Sequence, residues 1–232
     1  MSETNDIIDL TRRIEAGMPI WPDYPEIELW TSHWVARDGF TMERTELATH
    51  TSTHIDAPRH FIERGTTIDE YPISKFFGTG VVLDLAGRES GEPITESELS
   101  PFIDSLESVD VAMLHTGWDQ YYGKTTEWVF EFPFLTADAA SLLGSLDLDA
   151  VGIDTPSVGG WTGEAPAHGP TTEISAASSH LPLLENDVLP VEELTNLDAV
   201  LDGADARKAE FGYLPLRFDE AGGSPVRAFA RV

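Results

Sequence analysis

His50-Thr51-Ser52-Thr53-His54-Ile55-Asp56-Ala57-Pro58-Arg59-His60-Phe61 decides how this chain is read. It gathers three of the seven histidines and a carboxylate within eleven residues. His54, Asp56 and His60 stand four, six and ten positions after His50, so a regular strand would turn all four side chains to one face. Such a strand would also hold His50 and His54 about 13 Å apart, at roughly 3.3 Å per residue. That is too far for one metal ion with ligand bonds near ~2 Å. A helix is disfavoured by the β-branched Thr51, Thr53 and Ile55, and Pro58 bars its continuation. A strand that ends in a wrapped turn meets both limits. It folds His50, His54 and Asp56 around a cation and leaves His60 just outside the ligand shell. The competing reading, a polar strand with surface histidines, is weakened by the clustering itself.

Two imidazoles and a carboxylate suit Zn²⁺, Mn²⁺ or Fe²⁺. Three protein ligands leave coordination positions open, as catalytic metal sites do. A cation held this way brings the pKa of bound water towards ~7 and polarises a carbonyl. His60, an imidazole with an ordinary pKa near ~6.5, is suited to moving protons. Together these properties describe hydrolysis of an amide or ester without a protein nucleophile. A non-haem iron oxygenase shares the two-histidine, one-carboxylate formula, and these residues alone leave both chemistries open.

Composition narrows the partners. The 232 residues suffice for one large domain with a real core, and no repeat or linker divides them. Forty-one acids against fourteen bases give a net charge of -27, spread along the chain. Such a surface repels nucleic-acid phosphates and anionic lipid, so neither is expected as a partner. We read the excess as adaptation to concentrated salt, where a Debye length of about 3 Å at 1 M screens self-repulsion. Attraction of a cationic ligand is the alternative. The absence of cysteine excludes disulfides and thiolate chemistry. Met1 to Asn5 carries no apolar signal core, and no apolar run reaches the roughly 20 residues of a membrane span. The expectation is a cytoplasmic protein.

Along the chain, Ile7–Leu10 reads as a strand before the stiff loop Gly17–Pro25, where Trp21 stands beside Pro22 as a packing anchor or a pocket wall. Ile27–Arg37 and Phe40–Thr49 read as extended, with His33 structural or exposed. Gly80–Leu85, Val109–His115 and Asp149–Asp154 read as buried strands. Between them lie helices from Thr95 (a capping box with Glu98) to about Leu106 and from Thr136 to Leu146. That alternation predicts a parallel βαβ layer. Gly159–Gly169, with a solvated His168, reads as an exposed loop, and Ile174–Leu184 as a helix disturbed by Pro182. Val188–Leu194, with Glu192 and Glu193, follows it. Phe211–Phe218 and Pro225–Val232 close the chain as strands.

The histidine stretch resembles the signature of the metal-dependent cyclase family, which includes bacterial kynurenine formamidases and isatin hydrolases. Ile7-Ile8-Asp9-Leu10, Met18-Pro19-Ile20-Trp21-Pro22, His115–Asp119, Gly152–Ser157, Leu214–Leu216 and Gly223–Arg227 resemble its other landmarks, in order. The resemblance implies an α/β fold, a swivelling β/β/α sandwich, spanning residues 1–232 as one domain. It implies His50, His54 and Asp56 as metal ligands, His60 as the proton-transfer residue and Trp21 as a substrate contact. It further implies His180 and Glu192, twelve positions apart, as ligands completing a second site bridged by the aspartate. Zn or Mn, one or two ions per chain, a small amide substrate and a homodimer or higher oligomer follow from the same resemblance. So does a metal-dependent hydrolase of N-formylkynurenine, with isatin or another small carbonyl compound as alternative substrate. A non-catalytic metal-dependent binding protein is the rival, and an intact His60 argues against it. Two features depart from the family pattern. Ser52 replaces a glycine, which is tolerable if its φ is negative, and Gly159–Ser179 matches no formamidase segment.

Overall fold

The apolar runs at Phe77–Asp84, Val111–His115 and Ala150–Ile153 lie side by side and parallel, as the strand–helix alternation predicts. They form the centre of a computed structural model that describes residues 7–22, 24–161 and 175–232. In chain order the strands among these residues are β1 (Ile7–Asp9), β2 (Glu28–His33), β3 (Met42–Glu46), β4 (His54–Asp56), β5 (Phe77–Asp84) and β6 (Pro93–Ile94). They continue with β7 (Val111–His115), β8 (Phe134–Leu135), β9 (Ala150–Ile153), β10 (Leu189–Glu192), β11 (Ala206–Pro215) and β12 (Gly223–Arg231).

Eight of them make one mixed sheet in the order β1-β12-β11-β5-β7-β9-β10-β4. The sheet then closes. β4, already antiparallel to β10, also pairs with the first residues of β12, Asp56 opposite Gly223 and His54 opposite Pro225. The far end of β12 carries β1. The result is a mixed α/β fold whose sheet closes into a barrel-like ring, a device that removes free strand edges. Two small sheets, β2–β3 and β6–β8, lie outside it.

Alternation along the strands sorts the core into two faces. Val82, Met113, Val191, Phe211 and Tyr213 pack together with Ile55, whereas Val81, Leu83, Ala112, Leu114, Val151 and Ile153 meet the helices through Leu99, Ala139 and Leu143. Gly152 is glycine because a Cβ there would lie 2.1 Å from Sδ of Met113. An aromatic cluster of Trp118, Trp128, Phe132 and Phe134 flanks the ring, with Trp21 and Trp161 packed against it.

Several expected elements are reshaped. The helix from Thr95 breaks into Glu96–Leu99, a 3-10 turn Ser100–Phe102 and Ile103–Leu106, because Pro101 has no N–H to continue the ladder. Thr95 N still donates to Glu98 Oε2 at 2.9 Å. The extended segment from Ile27 ends at His33 and gives way to a helical turn, Val35–Asp38, and His33 stacks on Phe40. The helix expected over Ile174–Leu184 is observed at Ala176–Leu184, with Pro182 inside it. Gly159 and Gly160 are buried, so the exposed loop does not begin there, and residues 162–169, His168 included, lie outside the described residues. No helix among the described residues is long and apolar enough to cross a membrane.

Candidate metal centre

The histidine stretch does end its strand in a turn, at Pro58–His60, but an earlier turn separates His50 from the strand. That turn spans Thr51–Thr53, and the strand His54–Asp56 follows it. Ser52 sits at φ 60, in the left-handed region, so the condition under which serine would replace glycine freely is not met. Its hydroxyl donates to the Arg12 carbonyl at 3.3 Å, a local bond that helps hold a conformation glycine would adopt freely. Thr53 Oγ1 accepts from Arg12 N and donates to the Glu193 carbonyl at 2.7 Å, tying the turn to the strand across the site. After β4, the 3-10 turn Pro58–His60 doubles back and stacks the His60 ring on His50, centroids 3.8 Å apart. Gly223 floors His50, since a Cβ there would lie 2.5 Å from its Cε1, and Gly222 lies under the His60 backbone, where a Cβ would come within 3.1 Å of its Cα.

His180 and Glu192 arrive from the opposite wall. Glu192 is the last residue of β10 and stands opposite His54 in the ladder. His180 lies on the helix Ala176–Leu184, its Nδ1 donating to the Ala176 carbonyl at 2.8 Å. His54 Nδ1 likewise donates to the Ser52 carbonyl at 2.7 Å. Each bond fixes the tautomer and leaves Nε2 facing the site, the support that metal-ligating histidines usually have.

The inward atoms converge. Oδ1 of Asp56 is 2.6 Å from Nδ1 of His50 and 3.5 Å from Nε2 of His54. Oδ2 of Asp56 is 3.2 Å from Nε2 of His180. Glu192 places Oε1 3.0 Å from Nε2 of His180 and Oε2 3.4 Å from Nε2 of His54. Ligands around one cation at bond lengths near ~2.1 Å stand roughly 3.0–3.4 Å from each other, so most of these spacings are those of a coordination shell. Oδ2 of Asp56 is buried and meets Nε2 of His180 at 3.2 Å without good hydrogen-bond geometry, so a cation between the two walls would serve it better than the protein does. His54, Asp56 and Glu192 form one group able to hold an ion, and His50, Asp56 and His60 form another, with Asp56 common to both. His60 therefore stands closer to the ligand atoms than the sequence suggests.

Without a cation, the cluster holds protons in its place. Burial opposes the charged forms of His54 and His180. The bonds and charges from Glu192 and Asp56 outweigh it and lift them to about 9 and about 10. Burial and the Asp56 charge push Glu192 up, but His180 and His54 overcome both and hold it at about 2. Loading the metal-free protein at pH 7.5 is therefore expected to release about two protons per chain as the metal displaces them. Calorimetry in buffers of different ionisation enthalpy counts them. Apparent metal affinity should rise with pH through this range, and zero release would contradict the assignment of both imidazoles.

The cluster forms one side of a cavity of about 250 Å³ that Trp21, Tyr24, Phe61, Ser157 and Glu193 also line. Trp21 is both anchor and wall: it packs edge-on to Trp161 at 5.2 Å and faces the cavity. Tyr24, Phe61, Ser157 and Glu193 were not singled out by the sequence. Phe61 and Ser157 do stand within stretches that carry the family resemblance, and Glu193 adjoins Glu192, but no role for these side chains follows from their positions, and the direction of Glu193 depends on a backbone turn that no spacing rule encodes. A groove of about 550 Å³ between Ile68–Phe76 and Leu214–Arg217 is larger, but among the described residues it holds no group of metal-ligating side chains.

Fold and site together define a protein of the cyclase family, and the chain belongs to it: the family described as Putative cyclase matches residues 8–159. The match includes the histidine stretch and ends before His180 and Glu192. Over nearly its whole length the chain is similar to kynurenine formamidases. That of Bacillus cereus is 29% identical over 231 residues, and that of Bacillus anthracis 30% over 233, with 99% of each chain covered in both. Among solved structures, an isatin hydrolase bound to the product analogue thioisatinate superposes with a TM-score of 0.80 at 21% identity, covering 98% of this chain and 92% of that one. Isatin hydrolase A from Labrenzia aggregata gives 0.80 at 20%, covering 98% and 93%. These two likenesses bear on the fold.

Proposed function

We propose that the protein is a metal-dependent amidohydrolase that cleaves N-formylkynurenine to kynurenine and formate. The observation that carries the reading is the convergence of three histidines on two facing carboxylates, Asp56 and Glu192, beneath an aromatic-walled cavity. The full-length similarity to kynurenine formamidases supports the choice of amide. In this reading His50, His54 and Asp56 would hold one ion of Zn or Mn, and Asp56, His180 and Glu192 would hold a second. A bound ion of this kind lowers the pKa of a coordinated water and polarises the amide carbonyl. Trp21 and Phe61 give the arene flat apolar walls and exclude bulk water. His60, on the cavity side of His50, takes a proton from the attacking water and delivers it to the departing amine nitrogen.

We further propose that residues 1–232 act as one domain of the swivelling β/β/α type and assemble as a homodimer or higher oligomer. The β2–β3 hairpin and its loop expose Leu29, Trp30, Trp34, Val35 and Phe40, an apolar surface suited to a second copy.

Hydrolysis of N-formylkynurenine in molar KCl, followed by absorbance, tests the function. Turnover by metal-loaded protein, lost after chelation and restored by Zn²⁺ or Mn²⁺, is expected. A folded, fully loaded protein that leaves N-formylkynurenine intact but opens isatin would overturn the substrate assignment in favour of a cyclic amide.

A further inference from the structure

Glu193 carries two costs, a left-handed backbone and a buried carboxyl oxygen that no hydrogen bond among the described residues serves. Its backbone sits at φ 56, a left-handed conformation that glycine and asparagine tolerate far better than glutamate. Its side chain is buried, the residue only 6% exposed, and Oε2 has no hydrogen-bond partner. A buried carboxylate oxygen without a donor has lost its hydration and received no bond in exchange.

The local architecture does not require a carboxylate at this position. Glu193 serves its neighbours through the backbone, its N–H donating to Thr155 O at 2.9 Å and its carbonyl accepting from Thr53 Oγ1 at 2.7 Å. Any residue would make those bonds. The nearby guanidinium of Arg12 makes no hydrogen bond to the Glu193 carboxyl: it lies 4.4 Å from the ring centroids of Tyr122 and Trp128 and donates to Leu194 O. Its Nε is also buried without a partner, and its charge only partly opposes the upward push of burial on Glu193. Nor does Glu193 belong to either group of side chains that could share an ion. It does line the cavity, beside Glu192 and together with Trp21 and His60. Strain and an unmet polar group at a cavity wall are features that active sites keep for a ligand.

We infer that Glu193 is a specificity residue whose carboxylate receives an amino or ammonium group of the substrate, placed away from the bond that is cleaved. The ligand class is thus an aromatic amide bearing a free amine, and the inference rests on the amidohydrolase reading while narrowing it. A site built to accept a hydrogen bond discriminates strongly against an analogue that lacks the donor, because the acceptor then stays unmet.

The test compares wild type with Glu193→Gln and Glu193→Asn, all loaded with the same metal. Glu193→Gln keeps the length and removes the charge. Glu193→Asn also suits a left-handed φ, so it should fold at least as well as wild type and melt higher. Substrates are N-formylkynurenine and the same formanilide without its side-chain amine. In parallel, calorimetry measures binding of kynurenine and of its deaminated counterpart. Wild type is expected to favour the amine-bearing member by about tenfold or more in kcat/KM, carried mainly by KM, and both variants to lose most of that preference. Equal losses on the two substrates would make Glu193 merely structural, and a wild type without preference would also overturn the inference. Should wild type hydrolyse neither substrate, the formamide assignment fails by itself. The binding arm then decides: a preference for kynurenine that the variants lose sustains the role of Glu193, and no preference removes it.

Discussion

Replacing His60 by alanine is expected to lower kcat by about 10²- to 10⁴-fold, the usual worth of a positioned acid–base group, with no change in ions bound per chain. Burial pushes the His60 imidazole down, the Asp56 charge opposes this, and His50 and His180 push it further, to about 4 in the metal-free site. The ring is therefore neutral near pH 7 and free to accept a proton. It stacks on His50 and faces the cavity, within reach of whatever that ring helps to hold. Because His50, Asp56 and His60 also satisfy the spacing of an ion-binding group, metal content is the deciding companion measurement. If His60→Ala loses an ion together with activity, the residue is a ligand and the proton carrier must be sought elsewhere. Full occupancy with collapsed turnover supports the acid–base role.

Asp56→Asn is expected to empty the centre, whereas Glu192→Ala should lower the count by one ion. Asp56 is the common member of both groups, and its two oxygens face opposite walls, Oδ1 towards His50 and His54 and Oδ2 towards His180. Asparagine keeps the shape but removes the charge. The loss of affinity should exceed the roughly 10- to 100-fold that even an outer-shell partner contributes to a metal site. Turnover should fall to background. The metal-free variant should also melt well below metal-free wild type, because removing one partner from a buried ionic cluster typically costs about 3–5 kcal/mol. Metal analysis of dialysed protein checks both halves. An Asp56→Asn protein that retains an ion would show that the aspartate does not bridge, and an unchanged count in Glu192→Ala would refute the two-ion centre.

Much of this arrangement is written locally in the sequence. Parallel strands were legible from apolar runs such as Val111–His115, and the helix starts from Thr95 and Thr136, whose hydroxyl accepts from Ala139 N as an N-cap should. The clustering of His50, His54, Asp56 and His60 needed only their spacing. Long-range facts were not legible. Nothing in Gly223–Pro225 announces that it will pair with His54–Asp56, because register between strands so far apart depends on how the intervening ring closes. The positive φ of Ser52 was not legible for a related reason: the bond that helps hold it runs to Arg12, about forty residues away in sequence. The break at Pro101 was available from proline's missing N–H, and the apolar spacing of Leu99, Phe102, Ile103 and Leu106 concealed it.

β4 is three residues long, pairs with β10 on one side and β12 on the other, and carries His54 and Asp56. Closing the barrel and bringing the proposed ligands together are therefore a single event. A ribosome delivers the chain from its N-terminus, so His50–Asp56 emerge long before Glu192 and Gly223 exist. Until the last strand is made, the histidine stretch has neither its facing carboxylate nor its floor, and only the local group of His50, Asp56 and His60 is present to meet an ion. Such distant contacts also form late, after the entropy of closing long loops has been overcome. The complete centre, with Glu192 and His180 in place, is thus deferred to the finished molecule, where an ion spanning the two walls would latch a barrel already shut.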